Sequence, residues 1–351
     1  MKITDFSIIP FQQKFKHPLK IAGQHFTYRE GFIIQIKSNE IIGYGESSPL
    51  SGFSIESLKE VSYALESYRL AIVDLGETTV DELLSFISIH ADGYPSVEFG
   101  LETAIYDLVS QIEGKSFSEY LNPNASHTIK SNGIVGIHSF SDNYSTMKVK
   151  VGFRNLFDEL IYFDKLIVKF GKDVKFRVDA NGSMDLPRAI RFCKEVEKFN
   201  IEYIEQPLPK HELEDLSELR NHTTIPIAVD ESLTDLNSAT KIIEAQAADI
   251  FIIKPTISGG FNTCKKIVDL SSSEKIKTII TSSLEGPIGL SACAHFTSAL
   301  LVKEVCGLST GSLFEESIPQ PFSIKNGIIQ HAQKPGLGVK FDIAWTLYSI
   351  G

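Results

Sequence analysis

The sequence predicts a (β/α)8 TIM barrel preceded by a separate α+β unit, on three observations. Its 351 residues suit one large barrel with an addition, at roughly 150 residues per domain. Strand-like runs come first and helical ones follow them up to about residue 120, the order of an α+β unit. Beyond that point short β-branched runs alternate with amphipathic stretches, repeating over about 190 residues, which matches a TIM barrel on the short side of its usual length. A doubly wound open sheet is the runner-up, but the glycine fingerprint expected after its first strand is missing.

In chain order, residues 3–9 form a short apolar-rich run. Residues 32–36 and 41–46 follow, and Ser38-Asn39-Glu40 between them supplies turn chemistry for a hairpin. Helical patterning covers 54–68 and 80–89. A third helix over 97–113 carries Phe99, Ala104, Ile105, Leu108 and Ile112 at helical spacing. The pattern changes near Leu121-Asn122-Pro123-Asn124. The expected division is therefore 1–122 for the first unit and 123–317 for the barrel, with segment 318–351 rejoining the first unit. Eight strands are expected at 131–137, 146–151, 175–178, 201–204, 225–229, 250–253, 278–281 and 304–308.

Charge and cysteine usage narrow the function classes. Thirty-four basic against 44 acidic residues give a net charge of −10, which repels phosphate backbones and anionic lipid. Neither nucleic acid nor membrane is an expected partner, while a small anionic substrate remains compatible with one local pocket. Cys193, Cys264, Cys293 and Cys306 show no CxxC pairing and no histidine at finger spacing, as reduced cytosolic thiols would. The start, Met1-Lys2-Ile3-Thr4-Asp5, has an acid where a signal peptide would turn apolar. The uncharged stretch 286–302 contains Pro287 and His295 and is too short to span a bilayer. A soluble, cytoplasmic protein is expected; the sequence leaves its oligomeric state open.

In a barrel of this kind the active site lies at the C-terminal strand ends. Those ends read Lys148-Val149-Lys150, Asp179-Ala180-Asn181, Glu205-Gln206-Pro207, Asp230-Glu231-Ser232, Lys254-Pro255 and Ser282-Ser283-Leu284-Glu285-Gly286. The three carboxylates Asp179, Glu205 and Asp230 stand 26 and 25 residues apart, one βα repeat each. Unpaired and converging, they would repel unless protonated or bound to a hard divalent cation. Oxygen-only ligands suit Mg2+ better than zinc. Lys148 and Lys150 share a strand face, and repulsion between them lowers the proton affinity of one. Lys254 stands on the other flank. An isolated acid or lysine at a strand end is ordinarily solvated or ion-paired; five in register are much harder to reach by chance. Asn181 as a cap of the following helix and Glu231 as a lysine partner are the plainer readings of those two residues. His295 and Cys293 fall on an expected helix, as do Lys265 and Lys266, and none of them reads as a ligand.

This ordered set, with Gly259-Gly260 following Lys254, resembles the enolase superfamily in its muconate lactonising subgroup, across nearly the whole chain. The first unit resembles that family's capping domain, and residues 98–108 its last capping helix. The resemblance implies that Asp179, Glu205 and Asp230 bind Mg2+, with Mn2+ the candidate substitute. It also implies that Lys150 removes a proton alpha to a substrate carboxylate and that Lys254 faces the other side of the intermediate. Lys148 would help hold the carboxylate, with Asn181 and Glu231 behind this first layer. Within the family the best match is an activity that dehydrates a hydroxycyclohexadiene carboxylate to an aromatic ring. Residues 282–289 are similar to its carboxylate-binding turn, which makes Ser282, Ser283 and Glu285 candidate substrate contacts through amides that face an anion. Residues 307–314 look like its glycine-containing loop, adding Thr310 and Gly311. The family's dipeptide epimerases carry an Asp-x-Asp pair after the eighth strand, where this chain has Ser309-Thr310-Gly311. An N-acylamino acid racemase is the nearer rival, because both lysines are present, and a muconate cycloisomerase activity also stays open. A catalytically silent metal-binding barrel would have no need of a base. Loops 21–26 and 49–53 are expected to fold over the mouth.

Overall fold

The computed structural model describes residues 1–21, 24–315 and 320–339. The first unit opens with a three-stranded antiparallel sheet of β1 (Asp5–Ile21), β2 (Gln24–Ser38) and β3 (Ile41–Ser47), in that order. The β2–β3 turn is the expected one, with Asn39 in the left-handed region at φ 52°. β1 and β2 run well beyond the expected apolar stretches. Their arms bury Gln13 and Arg29 as well as Phe11 and Phe15, so an apolar pattern marks them poorly, and the register slips between Lys14 and Leu19, around Pro18.

Four helices follow: α1 (Leu58–Asp74), α2 (Val80–His90), α3 (Pro95–Ile112) and α4 (Phe117–Leu121). Capping boxes start α1, α2 and α4, pairing Ser57 with Glu60, Thr79 with Glu82 and Ser116 with Glu119. α3 is buried on all sides from Ser96 to Ser110, because it lies between the first unit's sheet and the barrel. Its close approach to β3 depends on Gly45, where a Cβ would meet the Gly100 carbonyl oxygen at 1.9 Å. Ile34, Ile36, Leu65, Leu83, Ile87 and Leu101 form the core of this unit.

The barrel follows β4 (Thr128–Lys130). Its strands are β5 (Gly133–Ile134), β6 (Thr146–Lys150), β7 (Lys175–Asp179), β8 (Ile201–Glu205), β9 (Ile227–Val229), β10 (Ile250–Ile253) and β11 (Lys277–Ile280). Between and after them run α5 (Leu156–Phe170), α6 (Leu186–Val196), α7 (Leu213–Arg220), α8 (Leu236–Glu244), α9 (Pro255–Ser258), α10 (Gly260–Ser273) and α11 (Pro287–Ala299). The seven strands form one parallel sheet in sequential order. The eighth expected run is not an extended strand. It shrinks to bridges at Cys306 and Gly307, which donate to Lys130 O (2.7 Å) and Ile280 O (2.9 Å) and so join the two edges of the sheet. The first expected run narrows likewise to Gly133–Ile134.

β12 (Ser323–Lys325) and β13 (Ile328–Gln330) pair antiparallel beside β4, while Leu337 N donates to Asp107 on α3 at 2.7 Å. The described part of segment 318–351 thus touches both units; 318–319 and 340–351 lie outside the described residues. The four cysteines are buried free thiols. No helix among the described residues is long and apolar enough to cross a membrane.

Candidate active site

The strand register assembles the polar cluster. Lys150 is paired with Asp179 and Asp179 with Glu205 across adjacent parallel strands. Asp230 directly follows β9 and Lys254 directly follows β10. A cavity of about 400 Å3 opens here, lined by Lys148, Lys150, Asp179, Asn181, Asp230 and Lys254, with Arg154 at its edge.

Lys148 Nζ lies 3.0 Å from Asp179 and 2.7 Å from Glu205. Lys254 Nζ lies 2.6 Å from Asp230 and 4.9 Å above the Phe53 ring. Lys150 is the least engaged: its side chain is 59% exposed, against 25% for Lys148 and 14% for Lys254, with Asp179 at 3.4 Å and a bond to Asn181 Oδ1. Burial works against the charge on Lys148, yet Asp179 and Glu205 outweigh it and hold its pKa well above the ordinary lysine value. Burial likewise opposes the charge on Lys254, and Asp230 and Glu231 raise its pKa. Asp179 is buried as well, but Lys148 and Lys150 keep its pKa below the usual carboxylate range. Burial lifts Glu205, and Asp179 and Asp230 add to the lift against Lys148.

The three carboxylates were expected to converge unpaired. Instead each is turned onto an ammonium, and among the described residues no group of three histidine, cysteine or acidic side chains is gathered so as to hold a metal ion. The reason is electrostatic: buried carboxylates take the nearest cation, and Lys148 stands between two of them. The donor set still fits a hard divalent ion. It is all oxygen, it is nearly buried, and Glu205 Oε2 is buried without a hydrogen-bond partner among the described residues.

Asn181 does not cap α6, whose cap is Asp185. With φ 44° it turns back, and its Nδ2 donates to Glu231 at 2.8 Å while its Oδ1 accepts from Lys150. Glu231 is therefore paired through Asn181, with no lysine within ion-pair distance among the described residues.

Ser282, Ser283 and Thr310 line the cavity, whereas Glu285 and Gly311 do not. Glu285 is fully buried, and accepts from Ser283 N (2.8 Å), Ser282 Oγ (2.6 Å) and Thr256 Oγ1 (2.6 Å). Gly311 packs against Gln320, which donates to its carbonyl at 3.0 Å. Nor are three of the loop amides left for a substrate anion. Those of Ser283, Leu284 and Gly286 are taken by Glu285, Ser282 Oγ and Glu46. Thr281 and Ser283 line the cavity, and their hydroxyl oxygens are buried there without a partner among the described residues. Thr281 was not foreseen, although it follows directly on the buried strand β11. From the first unit Leu19, Leu50 and Phe53 reach the cavity, so two residues of loop 49–53 stand in its wall. In loop 21–26, Ala22 and Gly23 lie outside the described residues. Sequence reasoning also missed Arg29 and Glu46, buried charged residues in strands otherwise read by their apolar pattern.

A (β/α) barrel with lysines and carboxylates on successive strand ends, under an α+β cap, defines a class. The family described as Enolase C-terminal domain-like matches residues 137–345, and that described as MenC, N-terminal domain, matches 6–108. The chain belongs to the enolase superfamily. It is 31% identical over 301 residues to the o-succinylbenzoate synthase of Proteus mirabilis, covering 84% of this chain and 86% of that one. It is 27% identical over 361 residues to the D-Ala-D/L-Ala epimerase of Cytophaga hutchinsonii, covering 97% and 96%. A solved dipeptide epimerase from Cytophaga hutchinsonii, complexed with Mg and the dipeptide D-Ala-L-Val, shares the fold at a TM-score of 0.87 and 23% identity, covering 99% of this chain and 98% of that one. Synthases and epimerases both stand among the relatives, so family membership leaves the reaction to be argued from the site.

Proposed function

We propose that this chain is an o-succinylbenzoate synthase, turning 2-succinyl-6-hydroxy-2,4-cyclohexadiene-1-carboxylate into 2-succinylbenzoate and water for menaquinone biosynthesis. The observation that carries the reading is the cavity lining. Lys148, Lys150, Lys254 and Arg154 face two carboxylates, Asp179 and Asp230, and both of those are already ion-paired with lysines. Among the described residues that line the cavity, a substrate ammonium, such as a dipeptide carries, finds no carboxylate outside those ion pairs, since Ser309 and Thr310 occupy the eighth-strand end. A cyclohexadiene with one carboxylate on its ring and one on its succinyl chain meets Lys150, the most exposed of the three lysines, together with Thr281, Ser283 and apolar walls from Leu19, Leu50, Phe53, Ile134 and Leu313.

In this reading Lys150, as the free amine, removes the proton alpha to the ring carboxylate. The ammonium so formed returns that proton to the departing hydroxyl on the same face. One C–H and one C–O bond break, water leaves, and the electron pair completes the aromatic ring. Lys254 stays charged on the opposite side and stabilises the enediolate. A positioned base contributes about 10²–10⁴ in rate, short of the ~10⁶ of modest enzymes, so the rest must come from stabilising that dianion. Mg2+ held by Asp179, Glu205 and Asp230 would supply Lewis-acid charge to it.

Incubation with the diene and Mg2+ should consume substrate absorbance and yield aromatic product, and Lys150→Ala should abolish this without loss of fold. Equal rates in both proteins would end the catalytic assignment. The N-acylamino acid racemase reading has one observation in its favour, that Lys150 and Lys254 both border the cavity. Exchange and inversion at the alpha carbon of a resolved N-succinylamino acid, with no dehydration of the diene, would favour it instead.

A further inference from the structure

Arg29, on β2, is 3% exposed, and the hydrogen bonds of its guanidinium go to backbone carbonyls. Nε donates to Leu284 O at 2.9 Å and Nη1 to Pro49 O at 2.6 Å, while Nη2 donates to Ser48 O and, at 3.4 Å, to Ser283 O. Two segments are gripped by one side chain. The first, 48–53, belongs to the N-terminal unit and brings Leu50 and Phe53 to the cavity; the second follows β11 and brings Ser283 and Leu284. Arg29 itself is absent from the cavity wall.

The surroundings are built for this grip. A guanidinium is costly to bury unless its donors are satisfied, and a planar fork can serve two segments where a point charge cannot. Glu46, also fully buried, holds the same seam from the other sign of charge, accepting from Gly286 N (2.7 Å), Gly289 N (2.9 Å) and Ser48 Oγ (2.9 Å). Gly31 lets Ser48 lie against β2, since a Cβ there would meet Ser48 Cβ at 2.6 Å. Leu284 is held at φ 63°, a strained conformation for a bulky side chain, with its carbonyl on Arg29 and its amide on Ser282 Oγ.

We propose that Arg29 is a positioning residue that locks loop 48–53 of the first unit to loop 282–286 of the barrel, and through them sets the affinity of the cavity for substrate. The proposal rests on the preceding reading only in taking this cavity as the substrate site. Lys150 and the carboxylates stand on other strands, and Lys254 meets the two loops through the Phe53 ring, so loosening the loops should act on binding more than on the chemical step.

Arg29→Lys keeps the charge and loses the fork; Arg29→Met loses both. In each, KM for the diene and Kd for 2-succinylbenzoate should rise about tenfold or more, as misplaced contacts do, with kcat falling less and the Mg2+ requirement unchanged. A merely structural arginine would lower the active fraction, and so apparent kcat, at constant KM and Kd; that result overturns the proposal. Hydrogen exchange in the unmodified protein gives a reading even where both variants fail to fold. The amides of 50–54 and 283–286 should open together, and independent opening of the two segments overturns the proposal equally. Because that measurement uses no substrate, it stands apart from the reaction: an unmodified protein inert toward the diene counts against the synthase reading alone.

Discussion

Two residues apart on β6, Lys148 and Lys150 point the same way and meet different surroundings. Lys148 is engaged by two buried carboxylates, while Lys150 stays largely exposed beside Asn181. Under the proposed reaction that difference separates an anchored ammonium from a side chain left accessible to substrate. Asn181 supports the second of these by holding both Lys150 and Glu231. Asn181→Ala should therefore lower kcat about tenfold, the cost of one charge-assisted hydrogen bond, at unchanged Mg2+ requirement. Steady-state kinetics at saturating metal check this, and an unaltered kcat would remove Asn181 from the machinery. Ser283 makes a separable claim. Its buried hydroxyl lacks a partner within the described chain, so Ser283→Ala should raise KM severalfold, by roughly one hydrogen bond to a charged group, and leave kcat nearly alone. Legibility at this scale was uneven. The lysines and acids could be read because they interrupt β-branched runs at strand ends. Glu285 misled because an acid in a loop gives no sign of whether it turns outward or folds back onto its own amides, as it does here.

Elements were read best where apolar residues mark them along their whole length. α2 and α3 lie within two residues of their expected bounds and strands β6 to β8 within a residue or so, whereas α1 runs from Leu58 to Asp74 rather than over 54–68, its start set by the capping box of Ser57 and Glu60. The outer arms of β1 and β2 escaped notice because polar Gln13 and Arg29 share their buried positions with Phe15, which blurs the apolar alternation. The eighth barrel strand was overestimated, since a run of five apolar-rich residues says nothing about how many of them find partners. The seam between α3 and β3 gives a prediction that belongs to elements. Gly45→Ala forces a methyl group to within 1.9 Å of the Gly100 carbonyl oxygen, an overpacking that should cost about 1–3 kcal/mol or more. A thermal melt should fall by several degrees, and an unshifted melting temperature would mean that the helix can back away from the sheet at no cost.

Across the whole molecule, the first unit and the barrel are joined by buried acids. Glu102 on α3 accepts from the amides of Phe261 and Asn262 at the start of α10, and Asp107 from those of Tyr44 and Leu337. Burial pushes Glu102 up to about 8, with neighbouring Glu98 adding to it, and pushes Asp107 up to about 7. Both groups hold protons in the folded protein that the unfolded chain has already lost at those pH values. Folding stability therefore declines as pH rises from about 4.5 through about 8, by up to ~1.4 kcal/mol per pH unit for each group. Denaturant midpoints between about pH 5 and 8 should fall, and Glu102→Gln should flatten the decline. An identical slope in that variant would sink the assignment. Chelation offers a whole-protein test of the metal: a chelator should abolish turnover, and Mg2+ should restore it without refolding.

By itself the sequence determined the alternation of strands and helices, the order Lys148, Lys150, Asp179, Glu205, Asp230, Lys254 along the strand ends, and hence the superfamily. Periodicity and spacing are local properties that a linear chain displays in full. Only the tertiary structure decided which ammonium meets which carboxylate, that Glu285 faces inward while Thr281 and Ser283 line the cavity with hydroxyls unpartnered among the described residues, and that Arg29 joins loops some 235 residues apart. Those outcomes follow from competition among buried charges for the nearest partner, and distance in space is not written in distance along the chain.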